Sequence, residues 1–162
     1  MQKKSLAIII PAYKESFLAA ALDSIAAQTC LDFTLYIGDD CSPYDLKSIV
    51  DRYRDKIHLV YKRFDINMGG KDLVAQWERC VDMNQGENWI WLFSDDDVME
   101  PRCVEEFYQT VKAHPEAGLV HFNLLKLENC TGKLYDLQKF PAYCPAKMYL
   151  DEKVRGHFNS MV

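Results

Sequence analysis

The segment that decides the fold is Leu6-Ala-Ile-Ile-Ile-Pro-Ala-Tyr-Lys-Glu15, near the start of the chain. Its first seven residues are almost continuously apolar, which is typical of a β-strand covered by helices on both faces of a sheet. Strands of this kind belong to parallel sheets, in which ligands bind at the carboxyl ends of the strands. The segment therefore predicts an α/β fold and directs attention to the residues that follow each strand.

Strand and helix patterns alternate along the rest of the chain. Strands are predicted over 33–37, 57–62, 89–93 and 118–125, and helical spacing occurs over 18–29, 42–54 and 73–81 and again after Pro101. The second helix opens with a predicted capping box at 42–45, with Ser42 as the N-cap. Farther on, Thr131-Gly132 predicts a hairpin turn and 148–154 a short helix. The alternation indicates βαβ units and a mostly parallel sheet with helices on both faces.

Length and composition exclude several classes of protein. The chain has 162 residues, of which 49% are apolar and 27% charged, with a net charge of −5. This length fits a single domain, residues 1–162, with its own core. The apolar and aromatic content excludes a disordered chain, and the mild acidity argues against binding to nucleic acid through a basic face.

The cysteines and the apolar segments are typical of a cytoplasmic protein. None of the six cysteines lies in a CxxC pair, so we expect reduced thiols and no structural zinc. The first apolar run stops at Pro11, too early for a secretory signal, and no segment has the roughly 20 apolar residues of a spanning helix. Peripheral association with the inner face of a membrane, through a segment outside this sequence, stays open.

Two acidic clusters follow strands of the predicted sheet, at 39–40 and at 95–97. Like charges at one sheet edge repel, and neither cluster has an obvious basic partner in sequence, so a cation or a ligand's donors would relieve the cost. Three carboxylates in a row suit Mg²⁺ or Mn²⁺ with phosphate oxygens as further ligands, or they form a solvated turn that caps the next helix. The 39–40 pair could bind a metal, cap a helix, or accept hydrogen bonds from a base or ribose.

The loop after the third predicted strand contains Gly69, Gly70 and Lys71. Glycine lets the backbone approach an anion, and a helix N-terminus and a lysine add positive charge, so this loop is a candidate anion cradle. The alternative is an ordinary glycine-containing loop, since neither a P-loop nor a GxGxxG motif is present. Tyr13, after the first strand, could stack on a base or pack against its neighbours.

Five motifs occur in order along the chain. They are Ile-Ile-Pro-Ala-Tyr-x-Glu at 9–15, Ala-Leu-Asp-Ser-Ile-x-x-Gln-Thr at 21–29, Asp-Asp-x-Ser at 39–42, Asn-x-Gly at 67–69, and an Asp cluster followed by proline at 94–101. Together they resemble the family 2 glycosyltransferases of the GT-A fold. The resemblance implies a Rossmann-like α/β domain, a UDP-sugar or other nucleotide-sugar donor, Mn²⁺ or Mg²⁺, and inversion at the anomeric carbon. The family often has Asp-x-Asp-Asp where this chain has Ser-Asp-Asp-Asp at 94–97.

The resemblance also implies roles for individual residues. The candidate nucleotide-binding residues are Pro11, Ala12, Tyr13, Glu15, Asp39, Asp40, Gly69, Lys71 and Asp95, and the candidate metal ligands are Asp96 and Asp97. The first three would line the base pocket, with Glu15 near the ribose. Asp40 would accept a hydrogen bond from the base, most simply the imide N–H of uracil. Lys71 would lie near the pyrophosphate and Asp95 near the ribose or sugar.

The general base of such an enzyme is expected beyond Val162. In the family it follows a strand that would begin near His157, so we expect a C-terminally truncated GT-A domain that holds the donor-binding portion. The acceptor would be a glycan or a lipid-linked molecule in surface polysaccharide biosynthesis. Two alternatives remain: a nucleotide- or glycan-binding module without catalysis, and a nucleotidyltransferase. The absence of a Gly-rich basic loop after the first strand argues against the second.

Overall fold

The structure is a computed structural model that describes residues 4–128, 131–138 and 140–155. The chain forms two compact units that divide between Gln109 and Thr110. The first unit contains the segments that carry the acidic clusters and the glycine-containing loop, so it holds the candidate site.

A four-stranded parallel sheet of order β3-β2-β1-β4 forms the centre of the first unit. The strands are β1 (Leu6–Ala12), β2 (Phe33–Asp39), β3 (Leu59–Arg63) and β4 (Trp89–Leu92), and the helices are α1 (Leu18–Ala26), α2 (Leu46–Asp51), α3 (Leu73–Val81) and α4 (Cys103–Ala113). The parallel strands bring their carboxyl ends to one edge of the sheet.

One face of the sheet packs against α3. Ala7 and Ile9 of β1 form a buried cluster with Tyr36, Phe64 and Cys80, and Cys80 lies on α3. This cluster excludes water from the face of the sheet toward α3, and apolar burial of this kind is the main stabilising contribution in a domain core.

The opposite face of the sheet packs against α4. Side chains alternate along a strand, so Leu6 and Ile8 point away from the α3 face. Trp89 and Trp91 of β4 are in register with these two residues. The ring centroids of Trp89 and Phe107, which lies on α4, are 5.5 Å apart in an edge-to-face arrangement. The predicted mostly parallel sheet with helices on both faces is therefore confirmed.

Gly38 of β2 allows α3 to lie close to the sheet. A Cβ atom at this position would lie 2.4 Å from the Cys80 sulfur and 3.0 Å from the Phe64 ring, which leaves no room for a side chain. The same close packing raises the pKa of the Cys80 thiol to about 12 through burial. Cys80 is thus a packing residue with little thiolate character.

The helix predicted to start at Ser42 starts farther along, so the predicted capping box is wrong. Helix α2 begins at Leu46, and the side chain of Asp45 caps it by accepting a hydrogen bond from the Ser48 N–H at 3.2 Å. The Ser42 N–H donates to Asp39, and the Ser42 hydroxyl donates to the carbonyl of Tyr13 and accepts from the Tyr44 N–H at 3.2 Å, so Ser42 orders the turn ahead of α2 and does not cap the helix. The segment before α2 is therefore organised around the sheet edge.

The strand predicted over 118–125 is also wrong in place and in direction. Residues 118–123 form no strand, and β5 (Leu124–Glu128) pairs with β6 (Lys133–Gln138) in a separate antiparallel sheet. The polar His121 and Asn123 interrupt the apolar run, and Asn123 accepts a hydrogen bond from the Phe140 N–H instead of continuing a buried strand. Residues 124–128 are all exposed or only partly buried, which suits a hairpin better than a buried parallel strand.

Two other predictions in the second unit are confirmed. The Thr131-Gly132 turn lies between β5 and β6, with Gly132 at a positive φ of 67°. The predicted short helix is α5 (Ala146–Val154). The strand expected near His157 lies outside the described residues.

The described cysteines are all free thiols, namely Cys30, Cys41, Cys80, Cys103 and Cys144. Among the described helices, none combines the length and the apolar character that crossing a membrane would require.

Candidate functional site

The segments that follow β1, β2 and β4 are joined by hydrogen bonds at the carboxyl edge of the sheet. The backbone N–H groups of Tyr13 and Lys14 donate to Oδ2 of Asp95 at 2.9 and 3.2 Å. The Ser42 hydroxyl donates to the Tyr13 carbonyl at 2.6 Å. The structure thus brings together residues from three of the predicted site segments, and Asp95 links the first of them to the acidic turn at 95–97.

Asp39 is completely buried at the end of β2. Its Oδ1 accepts a hydrogen bond from the Ser42 N–H at 2.7 Å, and its Oδ2 accepts from the Tyr61 hydroxyl at 2.5 Å and from Arg63 Nη1 at 2.8 Å. Arg63 Nη2 also donates to the Ser42 carbonyl at 2.8 Å. Because the Asp39 carboxylate has no exposed surface, it shapes the turn after β2 and does not reach a ligand in this conformation.

Two partners of the Asp39 carboxylate, Arg63 and Tyr61, have raised pKa values. The hydrogen bond to Asp39 raises the pKa of the Arg63 guanidinium above its ordinary value. Burial, and then the hydrogen bond to Asp39, raise the pKa of the Tyr61 hydroxyl. Both shifts favour the protonated forms of Tyr61 and Arg63, so both side chains remain hydrogen-bond donors at neutral pH.

Asp40 points to the other side of the same turn and orders the loop after β3. Its Oδ1 accepts hydrogen bonds from the Met68 N–H at 2.7 Å and from Arg79 Nη2 at 2.5 Å, and its Oδ2 accepts from the Gly69 N–H at 2.8 Å. An ionised carboxylate has about four lone-pair positions, so these three bonds leave one acceptor position on Oδ2. Only 5% of the Asp40 side chain is exposed.

The 39–40 pair has two basic partners that are not obvious in the sequence. Arg63 lies at the end of β3 directly beside Asp39 in the sheet register, and Arg79 reaches Asp40 from α3. In the register of β2 and β3, the last residues of the two parallel strands, Asp39 and Arg63, lie side by side. Pairing these two strands is therefore what would point to Arg63 as the partner of Asp39. No local pattern points to Arg79, which stands 39 positions from Asp40 in the chain.

Cys41 follows the two carboxylates directly and has a strained backbone. Its φ is 54°, in the left-handed region that residues with a Cβ rarely adopt. Directly after this residue, the Ser42 N–H donates to Oδ1 of Asp39 at 2.7 Å, which closes the turn around Cys41. The strain is held by the hydrogen bonds on both sides of it.

The glycine-containing loop does not offer a free anion cradle. The N–H groups of Gly69 and Gly70 donate to the side chains of Asp40 and Asn67, and the Lys71 N–H donates to the Met68 carbonyl at 2.9 Å. The predicted anion cradle is therefore wrong for the backbone, because these N–H groups already donate to acceptors within the protein. Gly69 is needed because a Cβ there would lie 2.8 Å from Oδ2 of Asp40. The Lys71 side chain is exposed, and its role near a pyrophosphate stays a prediction.

The turn after β4 carries the exposed carboxylates of the site. Asp95 is used by the backbone of Tyr13 and Lys14, whereas Asp96 and Asp97 are exposed. The Ser94 hydroxyl donates to Oδ1 of Asp96 at 2.5 Å and orients that carboxylate. Partial burial, then the charges of Asp96 and Asp95, raise the pKa of Asp97.

The described residues contain no group of three or more His, Cys, Asp or Glu side chains arranged to hold a metal ion. Mg²⁺ is usually bound through one or two carboxylates, with water and substrate phosphates completing the coordination. Asp96 and Asp97 supply two oxygen ligands of that kind, so they fit an ion that is completed by a phosphate ligand.

The predicted base-pocket residues differ in exposure. Ala12 is buried, and its carbonyl accepts the Asp40 N–H at 2.9 Å, so its side chain offers little surface. Pro11 is partly buried, while Tyr13 is 41% exposed and Glu15 is exposed. Of these residues, Tyr13 and Glu15 have the side-chain surface that a ligand could contact.

Known proteins are similar to this chain in sequence and in fold. The family model for glycosyl transferase family 2 matches residues 7–145. The poly(ribitol-phosphate) beta-N-acetylglucosaminyltransferase TarS of Staphylococcus aureus is 26% identical over an alignment of 151 residues that covers 91% of this chain and 25% of TarS. An uncharacterized glycosyltransferase of Rickettsia prowazekii is 26% identical over 157 residues, covering 92% of this chain and 43% of that protein. The chain thus spans less than half the length of these relatives.

Solved structures of S. aureus TarS share the fold. A crystal structure of TarS in complex with UDP covers 68% of this chain and 33% of that chain, with a TM-score of 0.62 and 24% sequence identity. A second TarS structure, in complex with UDP-GlcNAc, covers 68% of this chain and 32% of that chain, with the same TM-score of 0.62 and 24% identity. These matches show that the chain has the GT-A fold.

Proposed function

Because this chain belongs to glycosyl transferase family 2, we propose that it binds the UDP-sugar donor of an inverting glycosyltransferase at the carboxyl edge of its sheet. The observation that carries the proposal is the link made by Asp95. It joins the Tyr13 segment, which we assign to the base, to the exposed carboxylates that we assign to the metal. The TarS comparisons make UDP-GlcNAc the first donor to test.

The nucleoside part of the donor is assigned to Tyr13 and Asp40. Tyr13 offers an exposed aromatic face on which a base can stack. Asp40 keeps one acceptor position on Oδ2, and the imide N–H of uracil is a donor that suits it. Glu15, also exposed, is assigned to the ribose hydroxyls. The buried Asp39 is assigned to holding the turn after β2 in place, without contact to the ligand.

The phosphate part is assigned to the turn after β4 and to Lys71. Asp96 and Asp97 would hold Mn²⁺ or Mg²⁺, with the diphosphate supplying the other ligands. When bound, such an ion neutralises the negative charge that develops on the departing diphosphate. The exposed Lys71 ammonium adds a further positive charge near the same group. Direct attack by the acceptor hydroxyl, which inverts the anomeric carbon, also requires a general base, and we assign that role to none of the described residues.

We propose that the acceptor is a glycan or another surface polymer. The name of TarS describes transfer to poly(ribitol-phosphate), and the chain covers 25% of that protein. The described residues of the first unit account for the donor only, so the acceptor class rests on the family and its named relative.

The proposal is tested by titrating UDP into the 162-residue chain in a calorimeter, with manganese and with a chelator. We expect UDP to bind, and more tightly with manganese. Absence of UDP binding under both conditions would overturn the proposal.

Asp40→Asn should weaken the binding of uridine and leave that of pyrophosphate unchanged, while Asp55→Asn, at an exposed aspartate before β3, serves as the control. Equal losses for UDP and pyrophosphate in Asp40→Asn would contradict the assignment of Asp40 to the base.

A further inference from the structure

We propose that Arg79 is a positioning residue of the nucleotide site: it holds the Asp40 carboxylate and the loop after β3 in the arrangement that recognises the base. The inference rests on the proposed function, because it assumes that Asp40 meets the base. None of the sequence motifs includes Arg79, and its role follows from the contacts that it makes.

Arg79 binds four groups at once. Its Nη2 donates to Oδ1 of Asp40 at 2.5 Å and to the Ile66 carbonyl at 3.0 Å. Its Nε donates to Oε1 of Gln76 at 2.5 Å. Its guanidinium carbon lies 3.9 Å from the centroid of the Phe64 ring, within the range of a cation–π contact. Arg79 thus joins Asp40, in the turn after β2, to Phe64 and Ile66 in the loop after β3.

The partners of Arg79 are themselves fixed to the core. Gln76 is 2% exposed, and its Nε2 donates to the Gly38 carbonyl at 3.4 Å. Phe64 belongs to the buried cluster between the sheet and α3. The guanidinium is therefore held from α3 and from the core, and it transmits that fixed position to Asp40.

The charge on Asp40 makes Arg79 necessary. Asp39, its neighbour in the chain, is neutralised by Arg63, whose guanidinium is already used by Asp39 and Ser42. Within the described part of the chain, Asp40 forms its ion pair with Arg79. A nearly buried carboxylate that loses its counter-ion is strongly disfavoured, so the loop amides that it binds would no longer be held in place.

The geometry requires an arginine and not simply a positive charge. The guanidinium is a rigid planar fork that donates in several directions and stacks on an aromatic face, whereas a lysine ammonium is a compact charge on a flexible stem. A lysine at position 79 could pair with Asp40 but could not also keep the bonds to Gln76 and Ile66 and the contact with Phe64.

Base selectivity is the property that Arg79 should control. Uracil presents an imide N–H to the remaining acceptor position of Asp40, whereas cytosine presents an unprotonated ring nitrogen at the same place. An Asp40 carboxylate that is held rigidly should therefore favour UDP over CDP. Loosening of Asp40 should reduce this preference, while a general loss of stability would weaken the binding of both nucleotides by the same factor.

The experiment compares Arg79→Gln and Arg79→Lys with wild type. The matched control is Arg54→Gln, which removes a guanidinium from the exposed ion pair with Asp51. UDP and CDP affinities are measured by calorimetry, backbone amide exchange at Met68 and Gly69 by nuclear magnetic resonance, and the melting temperature by circular dichroism. Each variant is tested as the 162-residue chain.

We expect both Arg79 variants to bind UDP at least about tenfold more weakly and to lose most of the preference for UDP over CDP, since a hydrogen bond to a charged group contributes on this scale. Amide exchange at Met68 and Gly69 should accelerate while exchange in α1 stays the same. The control should match wild type in every measurement. Full selectivity and full amide protection in Arg79→Gln would overturn the inference, as would equal weakening of UDP and CDP.

Two outcomes need separate interpretation. If wild type binds no UDP, the proposed function fails, and amide exchange alone then decides on Arg79: unchanged protection of Met68 and Gly69 in the variants overturns its positioning role, and faster exchange supports it. If Arg79→Gln does not fold, Arg79→Lys decides, because it keeps the charge on Asp40's partner. A Lys variant with wild-type selectivity would overturn the requirement for the guanidinium.

Discussion

The two acidic turns at the carboxyl edge of the sheet have opposite environments. In the first, Asp39 and Asp40 are buried and paired with Arg63 and Arg79. In the second, the turn at 95–97, Asp96 and Asp97 are exposed and form no ion pair with a basic side chain in the described part of the chain. Two clusters of the same residue type, at the same edge, therefore have different physical roles.

The difference shows which carboxylates are available to a ligand. A buried carboxylate must be paired and hydrogen-bonded, because the free energy of desolvating an unpaired charge is several kcal/mol. Once Asp39 has met that requirement, it has no surface left for a ligand. Exposed carboxylates remain hydrated at little cost. Partial burial, and then the charges of Asp96 and Asp95, raise the pKa of Asp97, and the repulsion between these charges favours a bound cation.

The largest expected effect is on stability, when the buried turn is opened. Asp39→Ala removes the acceptor of Ser42, Tyr61 and Arg63, and we expect it to lower the free energy of unfolding by about 3 kcal/mol. Asp97→Ala, at the exposed turn, should change it by no more than about 0.5 kcal/mol. Urea unfolding of the two variants measures both values. Similar losses in both variants would remove the distinction between the turns.

A smaller effect should appear at alkaline pH. Burial and the bond to Asp39 raise the pKa of Tyr61, so the folded state holds this proton more tightly than the unfolded chain, where tyrosine has a pKa of about 10. The stabilisation that Tyr61 contributes through this pKa difference is fully present below a pH of about 10 and is lost as the pH rises above it.

Tyr61→Phe, which lacks the hydroxyl, should therefore be about 1 kcal/mol less stable than wild type at neutral pH. The difference should shrink as the pH rises above about 10. Thermal unfolding of both proteins from neutral to alkaline pH measures it. A difference that stays constant across this range would show that the Tyr61 hydroxyl is not tied to the buried turn.

Prediction from sequence was most successful where the pattern is local. The buried strands β1 and β2 and the helices α1 and α3 follow from apolar runs and helical spacing, and these elements place the site at the sheet edge. The order of the five motifs indicated the family. These features depend on neighbours in the chain, which a single sequence displays directly.

The rest depends on contacts between distant residues. The bond between Arg79 and Asp40 requires the position of α3 on the sheet, and the two residues are 39 positions apart. The hydrogen bonds that occupy the Gly69 and Gly70 amides exist only after the loop has closed on Asp40 and Asn67. A glycine-containing loop in a sequence shows that the backbone can approach something closely, but it does not show what.

The smallest expected effect concerns Cys41, the strained residue directly after the buried carboxylates. Cys41 has a positive φ, which costs about 1–2 kcal/mol for a residue with a Cβ, while glycine loses more entropy on folding. We expect Cys41→Gly to be about 0.5 kcal/mol more stable than wild type. Cys41→Ala keeps the Cβ and should show no such gain in urea unfolding. A gain in both variants would locate the strain in the sulfur contacts and not in the backbone.

The most direct test of the distinction between the two turns is the manganese dependence of UDP affinity in wild type and in Asp96→Ala, measured by calorimetry beside the melting temperature. We predict that Asp96→Ala folds like wild type and binds UDP equally with manganese and with a chelator, because the exposed turn supplies the metal ligands and contributes little to the fold. Normal manganese dependence in Asp96→Ala, or loss of its fold, would contradict this account.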